Sequence, residues 1–96
     1  MKPSEAIELH RERIREIVRA NKASNPRVFG STARGEDSET SDLDILIDPD
    51  ANMSMFDLVR IRRAVHELTD VAVDVKTPED LPVKFRQVVL AEARPI

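Results

Sequence analysis

Phe29-Gly30-Ser31-Thr32-Ala33-Arg34-Gly35, followed after a polar loop by Ser41-Asp42-Leu43-Asp44-Ile45-Leu46-Ile47, decides how this chain is read. A glycine-flanked turn leads into a β-strand that carries two aspartates on one face. Side chains alternate along a strand, so Asp42 and Asp44 share a side with Leu46 and Asp48, opposite Leu43, Ile45 and Ile47. The turn offers backbone N–H groups and a serine hydroxyl, groups suited to phosphate oxygens. A phosphate cradle beside a carboxylate pair able to clamp a divalent metal is the equipment of phosphoryl or nucleotidyl transfer.

The rest of the composition narrows the class. With 96 residues the chain makes one domain, spanning 1–96, with room for a modest core. A content of 41% apolar and 34% charged residues is that of a soluble globular protein. Three Phe with no Trp or Tyr leave no base-stacking platform, and a formal charge of −3 argues against tight nucleic-acid binding. The absence of cysteine excludes disulfides and thiolate metal sites. The N-terminus is patterned as a charged helix, with no apolar signal core, and no apolar run reaches membrane-spanning length, so a cytoplasmic protein with no membrane partner is expected.

Residues 3–22 read as a helix, with Pro3 and Ser4 at its start and Ile7, Ile14, Ile17 and Val18 on one side. Asn25-Pro26 breaks the chain, and Arg27-Val28-Phe29 makes a short first strand ending at Gly30. The second strand runs from Leu43 to Asp48, where Pro49 ends it. Ser54-Met55-Phe56-Asp57 fits a capping box, followed by a helical stripe of Met55, Leu58, Ile61, Val65 and Leu68. Val71 to Val75 is a third strand, with Asp74 facing away from Val73 and Val75. Thr77-Pro78-Glu79-Asp80 starts a last helix with Leu81, Phe85 and Val88 on its apolar side, and Pro82 is placed to split it. The order α-β-β-α-β-α predicts an α/β fold, a small mixed sheet of about three strands with flanking helices.

Three carboxylates stand inside otherwise apolar strands. Burying an unpaired carboxylate costs several kcal/mol, roughly, so each needs a reason. Asp42 and Asp44 could be solvated strand-end residues, and Asp74 could pair with an arginine of a neighbouring helix. If the second and third strands are neighbours, all three converge, and Mg²⁺, a hard cation that bridges carboxylates and phosphates, would relieve their repulsion. The glycine spacing is not that of a Walker A loop, because no Lys-Ser/Thr follows. His10 and His66 read as structural or solvent-facing, and Arg60-x-Arg62-Arg63 as a solvated face or a contact for an acidic partner or nucleotide.

Together, the Gly-Ser turn, the Asp-x-Asp and the Val73-Asp74-Val75 strand resemble the nucleotidyltransferase motif of the DNA polymerase β superfamily. Length places the chain close to the minimal nucleotidyltransferases. The likeness extends over nearly the whole chain, to Leu90-Ala91-Glu92-Ala93-Arg94-Pro95-Ile96, and is most specific over residues 29–47. It implies that Gly30 and Ser31, with Arg34 beside them, bind nucleotide phosphates, and that Asp42, Asp44 and Asp74 hold two divalent metals, Mg²⁺, and act in catalysis. It further implies ATP as substrate and AMP transfer to a tyrosine of a helical HEPN-type toxin, the chain being the antitoxin of the pair and its assembly a hetero-oligomer. Two other readings stand beside it: a non-catalytic module that inhibits its partner by occlusion, and nucleotidylation of a small molecule.

Overall fold

The computed structural model describes residues 1–96. The elements are α1 (Pro3–Ala20), β1 (Ala23–Phe29), α2 (Gly30–Ala33), β2 (Leu43–Pro49), α3 (Met55–Thr69), β3 (Val73–Lys76), a single 3-10 turn (Pro78–Asp80), α4 (Val83–Glu92) and β4 (Arg94–Pro95). The strands form one sheet in the order β3-β2-β1-β4, with β1 antiparallel to both β2 and β4, and β2 parallel to β3. The expected α/β class holds, with four strands where the sequence pattern indicated about three. No helix is long and apolar enough to cross a membrane.

The central strand β2 organises the core. Leu43, Ile45 and Ile47 are fully buried against one layer of helices, where Ile14 and Val18 of α1 and Ile61 and Val65 of α3 close over them. Each such side chain contributes about 1.5–3 kcal/mol by leaving water. The opposite face of β2 is covered only in part. Leu46 is fully buried there by Phe29 and Leu81, with Val89 of α4 and Ala93 just past its end packed around them. Two residues earlier on that face, Asp44 is only half-buried. The cover thus stops short of the strand's first residues and leaves an open end to the sheet.

Four local features differ from the sequence expectation. β1 begins at Ala23, because a register shift between Ser24 and Arg27, with Asn25 at φ 52°, lets the strand pass through Pro26. A bulge of this kind is where a sheet tolerates proline. The last segment is indeed split at Pro82, into the 3-10 turn and α4, but Phe85 and Val88 are exposed and Val89 and Ala93 face the sheet instead. Met55 is exposed while Asp57 is buried: the capping box puts Met55 at the first helical position, and the Ser54 N–H donates to Asp57 Oδ2 at 2.9 Å. Finally, α1 ends at Ala20 and is kinked at His10 (φ −122°, ψ 19°), and nothing in the local sequence explains the kink.

Candidate active site

The antiparallel register of β1 and β2 sets Phe29 opposite Asp44, and the parallel register of β2 and β3 sets Asp44 opposite Asp74. Residues directly opposite one another in a sheet point to the same face, so Asp44 and Asp74 stand side by side on the open face. Asp42, two residues before Asp44, is exposed at the mouth of the same strand. The structure therefore brings the three sequence-predicted carboxylates to one end of the sheet. Their side chains do not close around a common point: no three acidic or histidine side chains share coordinating geometry.

The electrostatics of Asp44 record the crowding. Its carboxyl is held above the ordinary carboxylate range, first by loss of water and then by the charges of Asp74 and Asp42, with Lys76 and Arg34 opposing. An ionised carboxylate in such company calls for a cation. The donor set is all oxygen, hard and anionic, with no imidazole or thiolate, and this matches Mg²⁺ rather than a softer transition metal. By donor chemistry, though not by convergence of the side chains as they stand, these residues fit a divalent cation.

The glycine turn is built against the same carboxylate. Gly30 has φ 68°, a left-handed conformation that costs an L side chain about 1–2 kcal/mol. A Cβ placed on Gly30 would stand 2.6 Å from Asp44 Oδ2. Glycine is favoured here on two counts, its backbone angle and the space beside Asp44. Ser31 and Thr32 follow in the single turn of α2, whose first N–H groups have no partner inside so short a helix. The turn is tied down by Arg34 N–H to the Gly30 carbonyl (3.2 Å) and Glu36 N–H to the Ser31 carbonyl (2.8 Å). Gly35, φ 72°, terminates it with nothing near its absent Cβ. The loop beyond is anchored at Asp37, whose Oδ2 accepts the Ser4 N–H at 2.8 Å.

Arg34 is exposed and committed to Glu36 (2.7 Å) and Glu92 (3.4 Å), so its guanidinium lies at the rim. His66 lies outside the carboxylate site; its Nδ1–H donates to the Val71 carbonyl at 2.8 Å, a structural role. The sequence reading passed over Lys76, because it ended the third strand at Val75. Lys76 shares the face of Asp74, two residues away, and its Nζ lies 3.6 Å from Asp74 Oδ2. The strand alternation that grouped Asp42 with Asp44 was the signal that could have found it.

Comparison with known proteins gives the family and the fold. The nucleotidyltransferase domain family model matches residues 10–96. A Methanocaldococcus jannaschii protein named "Putative protein adenylyltransferase MJ0126" is 35% identical over 78 residues, 81% of this chain and 80% of that protein. A solved structure described as a putative minimal nucleotidyltransferase superposes with a TM-score of 0.87 at 35% identity, covering 97% of this chain and 95% of its own. The fold is shared as well with a complex of a tri-AMPylated Shewanella oneidensis HEPN toxin and its MNT antitoxin, at a TM-score of 0.68 and 18% identity, over 92% of this chain and 69% of that one. The family model over residues 10–96 and the 35% identical relative place this chain in the nucleotidyltransferase domain family.

Proposed function

We propose that this nucleotidyltransferase moves AMP from ATP to a hydroxyl of a partner protein, a tyrosine of a HEPN-type toxin, and so acts as the antitoxin of a pair. The observation that carries the chemistry is that Asp44, register-paired with Asp74, fills the space where a Gly30 side chain would stand. It sets a backbone turn open to phosphate beside carboxylates that need a cation. The names of the adenylyltransferase relative and of the AMPylated HEPN complex support the nature of the transferred group and of the acceptor.

In this reading Asp42 and Asp44, with Asp74 beside them, would hold a divalent cation next to the nucleotide phosphates. A divalent cation bound there supplies neutralisation of the triphosphate and of the departing pyrophosphate. The backbone N–H groups of the Gly30-Ser31 turn and the Ser31 hydroxyl orient the phosphates, and Arg34 reaches them from the rim. Asp74 accepts the proton of the acceptor hydroxyl at a carboxylate oxygen. The acceptor oxygen attacks the α-phosphorus in line, the bond to the bridging α–β oxygen breaks, and pyrophosphate leaves. Lys76, beside Asp74, offsets the negative charge gathered on that strand.

Calorimetric titration with a non-hydrolysable ATP analogue tests the assignment. Wild-type chain should bind it in Mg²⁺ and lose most of that affinity in EDTA, and the Asp42→Asn/Asp44→Asn double variant should bind poorly in both. Equal affinity of the two proteins in Mg²⁺ would remove the metal role from these aspartates.

A further inference from the structure

The arginine cluster of α3 resolves into two kinds of residue. Arg60 is engaged, with Asp57 at 2.5 Å and Asn21 at 3.4 Å. Arg11, Arg13, Arg15, Arg27 and Arg34 also each pair with a carboxylate. Arg62 and Arg63 have no carboxylate partner, as is also true of Arg19, Arg86 and Arg94, but these two stand side by side on one helix. Both are exposed, and with His66, Ala72 and Val73 they line a cavity of about 320 Å³ beside β3.

That cavity borders a free sheet edge. β3 is the outermost strand, and the Leu43 N–H bond to the Ala72 carbonyl (2.8 Å) fixes its phase against β2. In a parallel ladder alternate residues bond to the same neighbour, so Asp74 and Lys76 turn their backbone groups toward β2. Val73 and Val75 turn theirs outward. An edge of this kind is a template for another strand, and its length of four residues limits what can add to it to a short segment. On the helix side of the edge the charge is positive, from Arg62 and Arg63, while Asp74 stands on the opposite face of the strand.

We infer that the β3 edge together with Arg62 and Arg63 is a docking surface for a short, extended, acidic segment of a partner protein, which adds alongside β3 as a further strand. Charge complementarity selects the occupant. A guanidinium pair receives carboxylates in bidentate fashion, whereas a basic segment would be repelled. The identity of the partner as the acceptor of AMP rests on the function proposed above; the chemistry of the surface does not. A strand added at that edge lies about 4.8 Å from β3 and therefore brings its residues close to Asp74. The surface so holds a protein substrate next to the strand carboxylates.

The test is an NMR titration of the ¹⁵N-labelled full chain. The probes are a blocked peptide of alternating Glu and Val, the same peptide N-methylated at every second residue, its Lys counterpart, and inorganic phosphate. The acidic peptide should shift the Val73 and Val75 amides saturably. Binding should weaken at least tenfold in Arg62→Glu/Arg63→Glu, both substitutions lying on the surface, and should weaken as salt is raised. The N-methylated and Lys peptides should leave those amides unmoved. An acidic peptide that leaves Val73 and Val75 unshifted, or binds the charge-reversed variant equally well, overturns the inference. So does phosphate alone reproducing the full set of shifts, which would mark a simple anion pocket. Peptide binding that persists while the chain transfers no AMP to any protein would remove the function proposed above and leave this surface standing. The analogue titration with Mg²⁺ on the charge-reversed variant should match wild type, which separates docking from nucleotide binding.

Discussion

Gly30 and Gly35 make a matched pair of perturbations. Both have left-handed backbones, φ 68° and 72°, and an alanine at either position incurs the same conformational strain, about 1–2 kcal/mol. They differ in surroundings. The new methyl at Gly30 would stand 2.6 Å from Asp44 Oδ2, whereas at Gly35 it would meet nothing within 4 Å. Gly35→Ala should therefore lower stability by about 1–2 kcal/mol and leave chemistry intact. Gly30→Ala carries the same strain and must also displace the Asp44 carboxylate, so it should lower stability at least as much and abolish most of the nucleotide transfer. For a domain of this size each kcal/mol lowers Tm by roughly 4–8 °C, well within reach of thermal unfolding followed by circular dichroism. The assay pairs that melt with transfer activity measured at a temperature where all three proteins are folded. If Gly30→Ala retains wild-type activity, the Asp44 carboxylate is not where the chemistry occurs. If Gly35→Ala is equally inactive, turn strain rather than the Asp44 contact governs activity.

Other expectations follow from the same site. Asp44→Asn should raise stability at neutral pH while eliminating transfer, because desolvation and the charges of Asp74 and Asp42 raise the folded pKa of Asp44. A group raised in this way contributes its stability below the unfolded pKa and loses it as pH rises through the folded pKa; the variant's advantage should accordingly fade on acidification, as urea melts across that range would show. Asp57 is the opposite case: its carboxyl is held low, chiefly by the Ser54 backbone N–H and then by Arg60. Its contribution to α3 is present above the unfolded pKa and lost as pH falls through the folded one, so Asp57→Asn should be less stable than wild type at neutral pH and converge with it in acid. Ser31→Ala should weaken ATP-analogue binding severalfold without altering Tm, since one hydroxyl hydrogen bond is worth about 0.5–1.5 kcal/mol. Mg²⁺ should raise the Tm of wild type but not of Asp42→Asn/Asp44→Asn, by preferential binding to the folded state.

Much of this site could be read in the sequence because it obeys local rules. The two-residue period of a strand placed Asp42 and Asp44 together, and a glycine before a serine marked the turn; both are written in neighbouring residues. What escaped depends on the tertiary partner. β4 is two residues long and contains Pro95, so no pattern announces it; it exists because β1 offers an edge and the Ile96 N–H reaches the Pro26 carbonyl at 2.9 Å. The orientation of α4 was missed for a similar reason. Phe85 and Val88 are more hydrophobic by type than Ala93, yet the exit from Leu81 and Pro82 sets the helix phase so that Val89 and Ala93 meet the sheet. Within the site, Lys76 lay one residue past the expected end of its strand, and strand ends are settled by ladder pairing with Leu46 rather than by residue type. The freedom of Arg62 and Arg63 was likewise invisible, because only the folded chain shows that Arg60 takes Asp57 and leaves its neighbours unpaired.

The central claim, that AMP is transferred from ATP to a protein hydroxyl, is tested most directly by following two labels at once. The chain is incubated with Mg²⁺, a HEPN-type partner protein, and ATP labelled either at the α- or at the γ-phosphate. The account predicts that α-label becomes covalently attached to the partner while γ-label is released as pyrophosphate, and that Asp42→Asn/Asp44→Asn does neither. Attachment of γ-label would make the chain a kinase, and a stable complex with neither label transferred would contradict the account in favour of inhibition by occlusion.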